Sequence, residues 1–150
     1  MPKASTKNSI RQKKSFFAYY RAQTSARAEE QRLQSERLVG RCGGFIIDDA
    51  TDVGPGLFVD MPGYARLHRA IDLGTVDAFV ADMKAFGPTG ILGLFAICKV
   101  AGVEMWDLEE GRVTKAQLHG IRDSFLERLN NANDRMQAIS EMLTTVRSLS

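Results

Sequence analysis

Arg21 closes an apolar, aromatic run, Phe16-Phe17-Ala18-Tyr19-Tyr20, and is followed at once by the small polar residues Gln23, Thr24 and Ser25. A run of this kind reads as a buried strand. In an open α/β sheet, the loop leaving the carboxyl end of a strand is where chemistry is usually placed. An arginine held there is suited to gripping a phosphate through two parallel hydrogen bonds. Other chemistries find less support. Cys42 and Cys98 form no metal or redox motif, and Cys98 lies in an apolar helix pattern that suits a buried, inert thiol. His68 and His119 make no recognisable ligand set, and no glycine-rich phosphate loop is present, so neither metal nor cofactor is expected.

The elements that must position these residues alternate along the chain. A first strand is expected over 15–20, and an amphipathic surface helix over 26–39, stopped by Gly40, Gly43 and Gly44. Phe45-Ile46-Ile47 reads as a short second strand running into Asp48-Asp49-Ala50-Thr51-Asp52, and 53–62 as an exposed, glycine- and proline-punctuated loop. A helix over 63–73, a strand over 78–81, a loop over 82–90, an apolar helix over 91–100 and a strand over 103–108 follow. The alternation predicts an α/β fold with a mainly parallel sheet of four to five strands, flanked by helices and joined by right-handed crossovers. From Thr114 onward there is no proline and one glycine, Gly120. Leu118, Ile121, Phe125, Leu129, Met136, Ile139, Leu143 and Val146 recur there at helical spacing, as one long helix or two stacked ones. That is more apolar face than a small sheet needs. It reads as an oligomerisation surface, or alternatively as a helix that folds back and packs.

Composition sets the outer limits. The 150 residues, 44% hydrophobic and 25% charged, suit an ordinary globular chain with a self-sufficient core. No apolar run approaches the roughly 18 residues of a membrane span, and the first residues lack a secretory pattern, so a cytoplasmic protein is expected. The division expected is a flexible basic leader over 1–14, an α/β domain over 15–112 and the long helix over 113–150. The net charge is only +2, but Lys3, Lys7, Arg11, Lys13 and Lys14 precede the first strand without one acidic residue among them. The leader is either a solvated terminus or an arm that touches nucleic-acid backbone without sequence preference.

Tyr20-Arg21-Ala22-Gln23-Thr24, with Gln31 shortly after, resembles the opening of the serine recombinase catalytic domain, the resolvase/invertase family. Members open with Tyr-x-Arg-x-Ser-Thr, whose serine is the nucleophile. The resemblance runs from Phe16 to about Ile139. Asp48-Asp49-Ala50-Thr51 is similar to the family's Asp-Lys-x-Ser after the second strand, and Met61-Pro62-Gly63-Tyr64-Ala65-Arg66-Leu67 to its Arg-Pro-Gly-Leu-x-x-Leu. Gly74-Thr75-Val76-Asp77-Ala78-Phe79-Val80 resembles Gly-x-Val-Asp-x-Val-Val, Met83-Lys84-Ala85-Phe86-Gly87-Pro88 stands at Leu-Asp-Arg-Leu-Gly-Arg, and Asp134-Arg135 at Glu-Arg. The resemblance implies the resolvase fold, with dimerisation through the long helix.

The departures fall on the chemistry. Family members cut DNA by attack of the serine hydroxyl on a phosphodiester, which needs a nucleophile and cationic donors for the developing charge. Here Gln23 holds the nucleophile's place, Met61 and Pro88 replace arginines, and Lys84-Ala85 replaces Asp-Arg. The implied site is therefore vestigial, made of Arg21, Gln23, Asp48, Lys84 and Arg135. Losing one such donor alone costs about a hundredfold in rate. The leading expectation is a non-catalytic accessory or regulatory module, self-associating or joined to a related recombinase or another DNA-bound partner. Family members append a helix-turn-helix, and none follows here, so any DNA contact is expected to be backbone-directed. One alternative is an active recombinase using Ser25 or Thr24 as nucleophile. A second is a small-anion site lined by Arg21, Gln23, Asp48 and Lys84.

Overall fold

The computed structural model describes residues 13–55 and 61–149, and the chain divides into two compact units, Met1–Val113 and Thr114–Ser150. The first contains β1 (Ser15–Ala22), α1 (Ser25–Arg41), β2 (Phe45–Val53), α2 (Pro62–Leu73) and β3 (Ala78–Ala81). A 3-10 turn (Met83–Ala85), α3 (Gly87–Ala101), β4 (Glu104–Asp107) and β5 (Gly111–Arg112) complete it. The five strands form one sheet in the order β2-β1-β3-β4-β5. The first four are parallel, and the two-residue β5 returns antiparallel on β4.

β1 has neighbours on both sides and helices over both faces, so its apolar run is buried without a break from Phe16 to Tyr20. Alternate side chains go to opposite faces. Phe16, Ala18, Tyr20 and Ala22 join Ala28 and Val39 of α1 in one cluster. Tyr19, facing the other way, stacks on Phe86 with ring centroids 5.9 Å apart and meets Tyr64 edge-on at 6.1 Å. Where α1 turns into β2 the backbones crowd: a Cβ on Gly44 would lie 2.8 Å from the Lys14 carbonyl oxygen and 2.6 Å from the Phe16 ring. Only glycine fits that approach.

The expected fold class holds, with two boundary corrections. The second strand does not stop at Ile47 but runs to Val53, so Asp48–Asp52 belongs to the strand. Aspartates are depleted from strands, which made the run look like a terminator. Here β2 is an edge strand, where Asp48, Asp49 and Thr51 stay in solvent while Ala50 and Asp52 turn inward. The segment expected as a loop over 82–90 is largely helical, and α3 begins at Gly87 with Pro88 in its first turn. Proline is tolerated there because the missing N–H has no intrahelical acceptor.

The second unit is one helix, α4 (Lys115–Leu149), 35 residues long. At 1.5 Å per residue it extends about 52 Å. Thr114 and Gln117 start it by reciprocal capping: the Gln117 N–H donates to Thr114 Oγ1 at 3.2 Å, and the Thr114 N–H to Gln117 Oε1 at 2.8 Å. Gly120 does not interrupt it.

Candidate functional site

The carboxyl ends of β1 and β2 lie side by side, Arg21 level with Asp52. Gln31, reaching back from the second turn of α1 and 2% exposed, clamps the Arg21 backbone from both sides. Its Oε1 accepts from the Arg21 N–H at 2.9 Å, and its Nε2 donates to the Arg21 carbonyl at 2.9 Å. The guanidinium turns back on the loop that follows β2. Nη1 donates to the Gly54 carbonyl and, at 3.3 Å, to that of Ala22.

Asp52 is a buried charged residue at this end of the sheet. Its Oδ2 accepts from Tyr19 Oη at 2.7 Å and from the Tyr64 N–H at 2.8 Å, and its Oδ1 from the Gly63 N–H at 2.9 Å. The carboxylate therefore caps the free amides opening α2, where the helix dipole also favours a negative charge. A Cβ on Gly63 would fall 2.7 Å from Asp52 Oδ2, so the cap requires glycine there. Burial, followed by the hydrogen bond to Asp52, pushes the Tyr19 phenol well above its ordinary pKa. Tyr19 is a donor to that carboxylate at every physiological pH.

The remaining expected residues are placed differently from one another. Gln23 is exposed at the exit of β1. Thr24 is the N-cap of α1, its Oγ1 accepting from the Arg27 N–H at 3.2 Å, and Ser25 is the first helical residue, exposed. Asp48 is not brought to Arg21. It lies four strand residues before Asp52, about 13 Å from it along the strand. There it pairs with Arg66 of α2 at 2.8 Å. Lys84, on the turn after β3, pairs with Glu109 at 3.1 Å. The hydrogen bond to Glu109, then the charges of Glu109, Asp82 and Asp107, raise its pKa. Asp107 is itself buried, accepting the N–H groups of Met83, Glu109 and Glu110 at 2.9, 3.1 and 2.9 Å. This rim is thus acidic around its one lysine. Arg135 is exposed on α4.

Of the leader, Lys3, Lys7 and Arg11 lie outside the described residues. Lys13 is exposed, whereas Lys14 pairs with Glu104 at 2.7 Å and sits 5.6 Å over the Trp106 ring. On α4, Leu118 is buried and Ile121 and Phe125 are half-buried. Leu129, Met136, Ile139 and Leu143, with Leu126, Met142 and Val146, are exposed. The described residues include no group of side chains able to hold a metal and no helix long and apolar enough to cross a membrane.

Asp52, Tyr19 and Asp107 are structural keystones that reading the sequence missed. The signal for Asp52 is its period-two place with Ala50 in β2, obscured by the neighbouring aspartates, which are depleted in strands.

No protein-family model and no curated protein sequence matches the chain. Solved structures do. A resolvase family site-specific recombinase from Streptococcus pneumoniae superposes with a TM-score of 0.70 at 18% identity, over 90% of this chain and 99% of that one. The N-terminal catalytic domain of TP901-1 integrase gives 0.59 at 17% identity, over 82% and 98%. The C-terminal catalytic domain of ISC1926 TnpA, an IS607-like serine recombinase, gives 0.52 at 20% identity, over 63% and 70%. The fold is that of a serine recombinase catalytic domain.

Proposed function

We propose that the chain is a non-catalytic, resolvase-like module that self-associates through α4 and works beside DNA or a DNA-bound recombinase. The observation that carries this reading is the state of the β1 exit. Gln23 stands where the resemblance puts the nucleophile, and an amide does not attack phosphorus. The Arg21 guanidinium donates to the Gly54 and Ala22 carbonyls, and Lys84 is paired with Glu109 within an acidic rim. A phosphodiester brought here meets repulsion from Asp82, Asp107 and Glu109 rather than a ring of donors. Catalysis of this kind rests on donors already aimed at the developing charge, and removing one typically costs about a hundredfold or more.

Self-association is supported by the seven large apolar side chains exposed, among the described residues, on α4 from Leu126 onward, at spacings that keep them on neighbouring turns. Backbone-directed DNA contact rests on the basic leader. Within the described residues that means Lys13, since Lys14 is engaged by Glu104.

The test is incubation of the purified chain with supercoiled plasmid, followed by a denaturing gel. The expected result is neither nicks nor a covalent protein–DNA band, together with non-specific binding that weakens steeply with salt. A covalent band that disappears in Ser25→Ala or Thr24→Ala overturns the inactive reading and establishes an active recombinase. Saturable phosphate binding lost in Arg21→Ala, without DNA binding, would establish a small-anion site instead.

A further inference from the structure

Among the described residues β2 pairs with β1 along one edge only, and no strand pairs with its other edge. The pairing with β1 is regular from Asp48 to Val53, after a register shift that leaves Ile47 without a partner. An open strand edge is a row of free backbone donors and acceptors, able to take up an extended segment. Beside this stretch, between α1 and β2, is a pocket of about 170 Å³ lined by Tyr20, Ser25, Ala28, Glu29, Arg32, Thr51 and Val53.

Two features give the pocket a chemical preference. Tyr20 is 2% exposed, lines the pocket, and makes no hydrogen bond among the described residues. The Tyr20 hydroxyl is not among the buried polar atoms without a partner, so it reaches the pocket and is open to a donor arriving from solvent. The charge is also one-sided. Beyond the burial that chiefly raises the Tyr20 phenol, Asp49, Glu36 and Glu29 act on it against Arg32 alone. Arg32 already bonds Glu29 and Glu36, whereas the Asp49 carboxylate has no side-chain partner among the described residues. Asp49 shares a face of β2 with Thr51, two residues on. Asp49, Thr51 and Tyr20 thus offer three oxygen acceptors. An ammonium has three donors and no acceptor of its own.

We propose that the open edge of β2 docks an extended, lysine-bearing segment of a protein partner, the lysine entering the Tyr20 pocket to meet Asp49, Thr51 and the Tyr20 hydroxyl. This surface is separate from the β1 exit and from α4, and it stands whether or not the chain cuts DNA. It selects a cation, so it is not a nucleic-acid surface.

The test is an amide-resolved NMR titration with two peptides of alternating Thr and Val, one with a central lysine and the other with norleucine in its place. The lysine peptide should shift the Asp48–Val53 amides and the Tyr20 ring, and bind at least about tenfold tighter than its neutral counterpart, as expected for a charge-assisted contact. Asp49→Asn should remove that preference while leaving the weaker norleucine binding in place. Equal affinity for the two peptides, or shifts confined to other residues, or no shift with either, overturns the proposal.

Discussion

Asp52, at the end of β2, is 7% exposed and holds three donors, whereas Met136, on α4, is 69% exposed. The contrast extends to their surroundings. Around Asp52, the charged groups of the strand ends are met from within the fold: Arg21 by carbonyls, Asp107 by three amides, Lys84 by Glu109. Along α4, apolar side chains recur with solvent beside them. A strand end whose donors and acceptors already answer one another is a structural joint. A helix that leaves its apolar stripe exposed is what the proposed self-association would use.

The sharpest way to break this comparison is Asp52→Ala. It leaves the Tyr19 hydroxyl and the Gly63 and Tyr64 amides without their acceptor, and unsatisfied buried groups cost about 1–3 kcal/mol each. A loss of about 3–5 kcal/mol in denaturant unfolding is expected. A loss under about 1 kcal/mol would show that the joint is not structural. Gln31→Ala removes both bonds on the Arg21 backbone and should cost about 2–3 kcal/mol in the same assay.

On the helix side, Ile139→Asp combined with Leu143→Asp should weaken self-association by on the order of a hundredfold or more, read by sedimentation equilibrium. The melting of the α/β unit should persist in the variant. A parent chain that is monomeric at tens of micromolar would remove the interface reading altogether.

Smaller effects sharpen the picture. Burial by itself would raise Glu104, but the hydrogen bonds from Lys14 and Trp106, with the charges of Lys14 and Arg112, hold its carboxyl below its ordinary value of 4.5. The folded pKa is the lower one. The stabilisation is therefore complete above the unfolded value and disappears as the pH falls through the folded value. Glu104→Gln should flatten that acid limb of the stability–pH curve. Smallest is thiol reactivity. Burial pushes Cys98 up to about 12, so a thiol reagent at neutral pH should label only the exposed Cys42 until the chain unfolds.

Much of the architecture was legible in the residues. Five consecutive apolar residues at 16–20 suffice for a strand buried on both faces, and the sheet centre is indeed there. The spacing of apolar residues after Thr114 suffices for a long helix, because a 3.6-residue period is a local property. Asp48 and Asp52 are the counterexample. Both are aspartates in one acidic run, and nothing local separates them. The pairing of β2 with β1 and the arrival of α2 made Asp52 a buried cap and left Asp48 a surface ion pair. The same holds for Arg21, whose identity suits a phosphate but whose guanidinium is turned onto the Gly54 carbonyl, supplied by chain folded against it. Periodicity and residue type act within a few residues along the chain. The partner of a charged side chain is set by contacts between segments distant in sequence, and only the tertiary structure decides those.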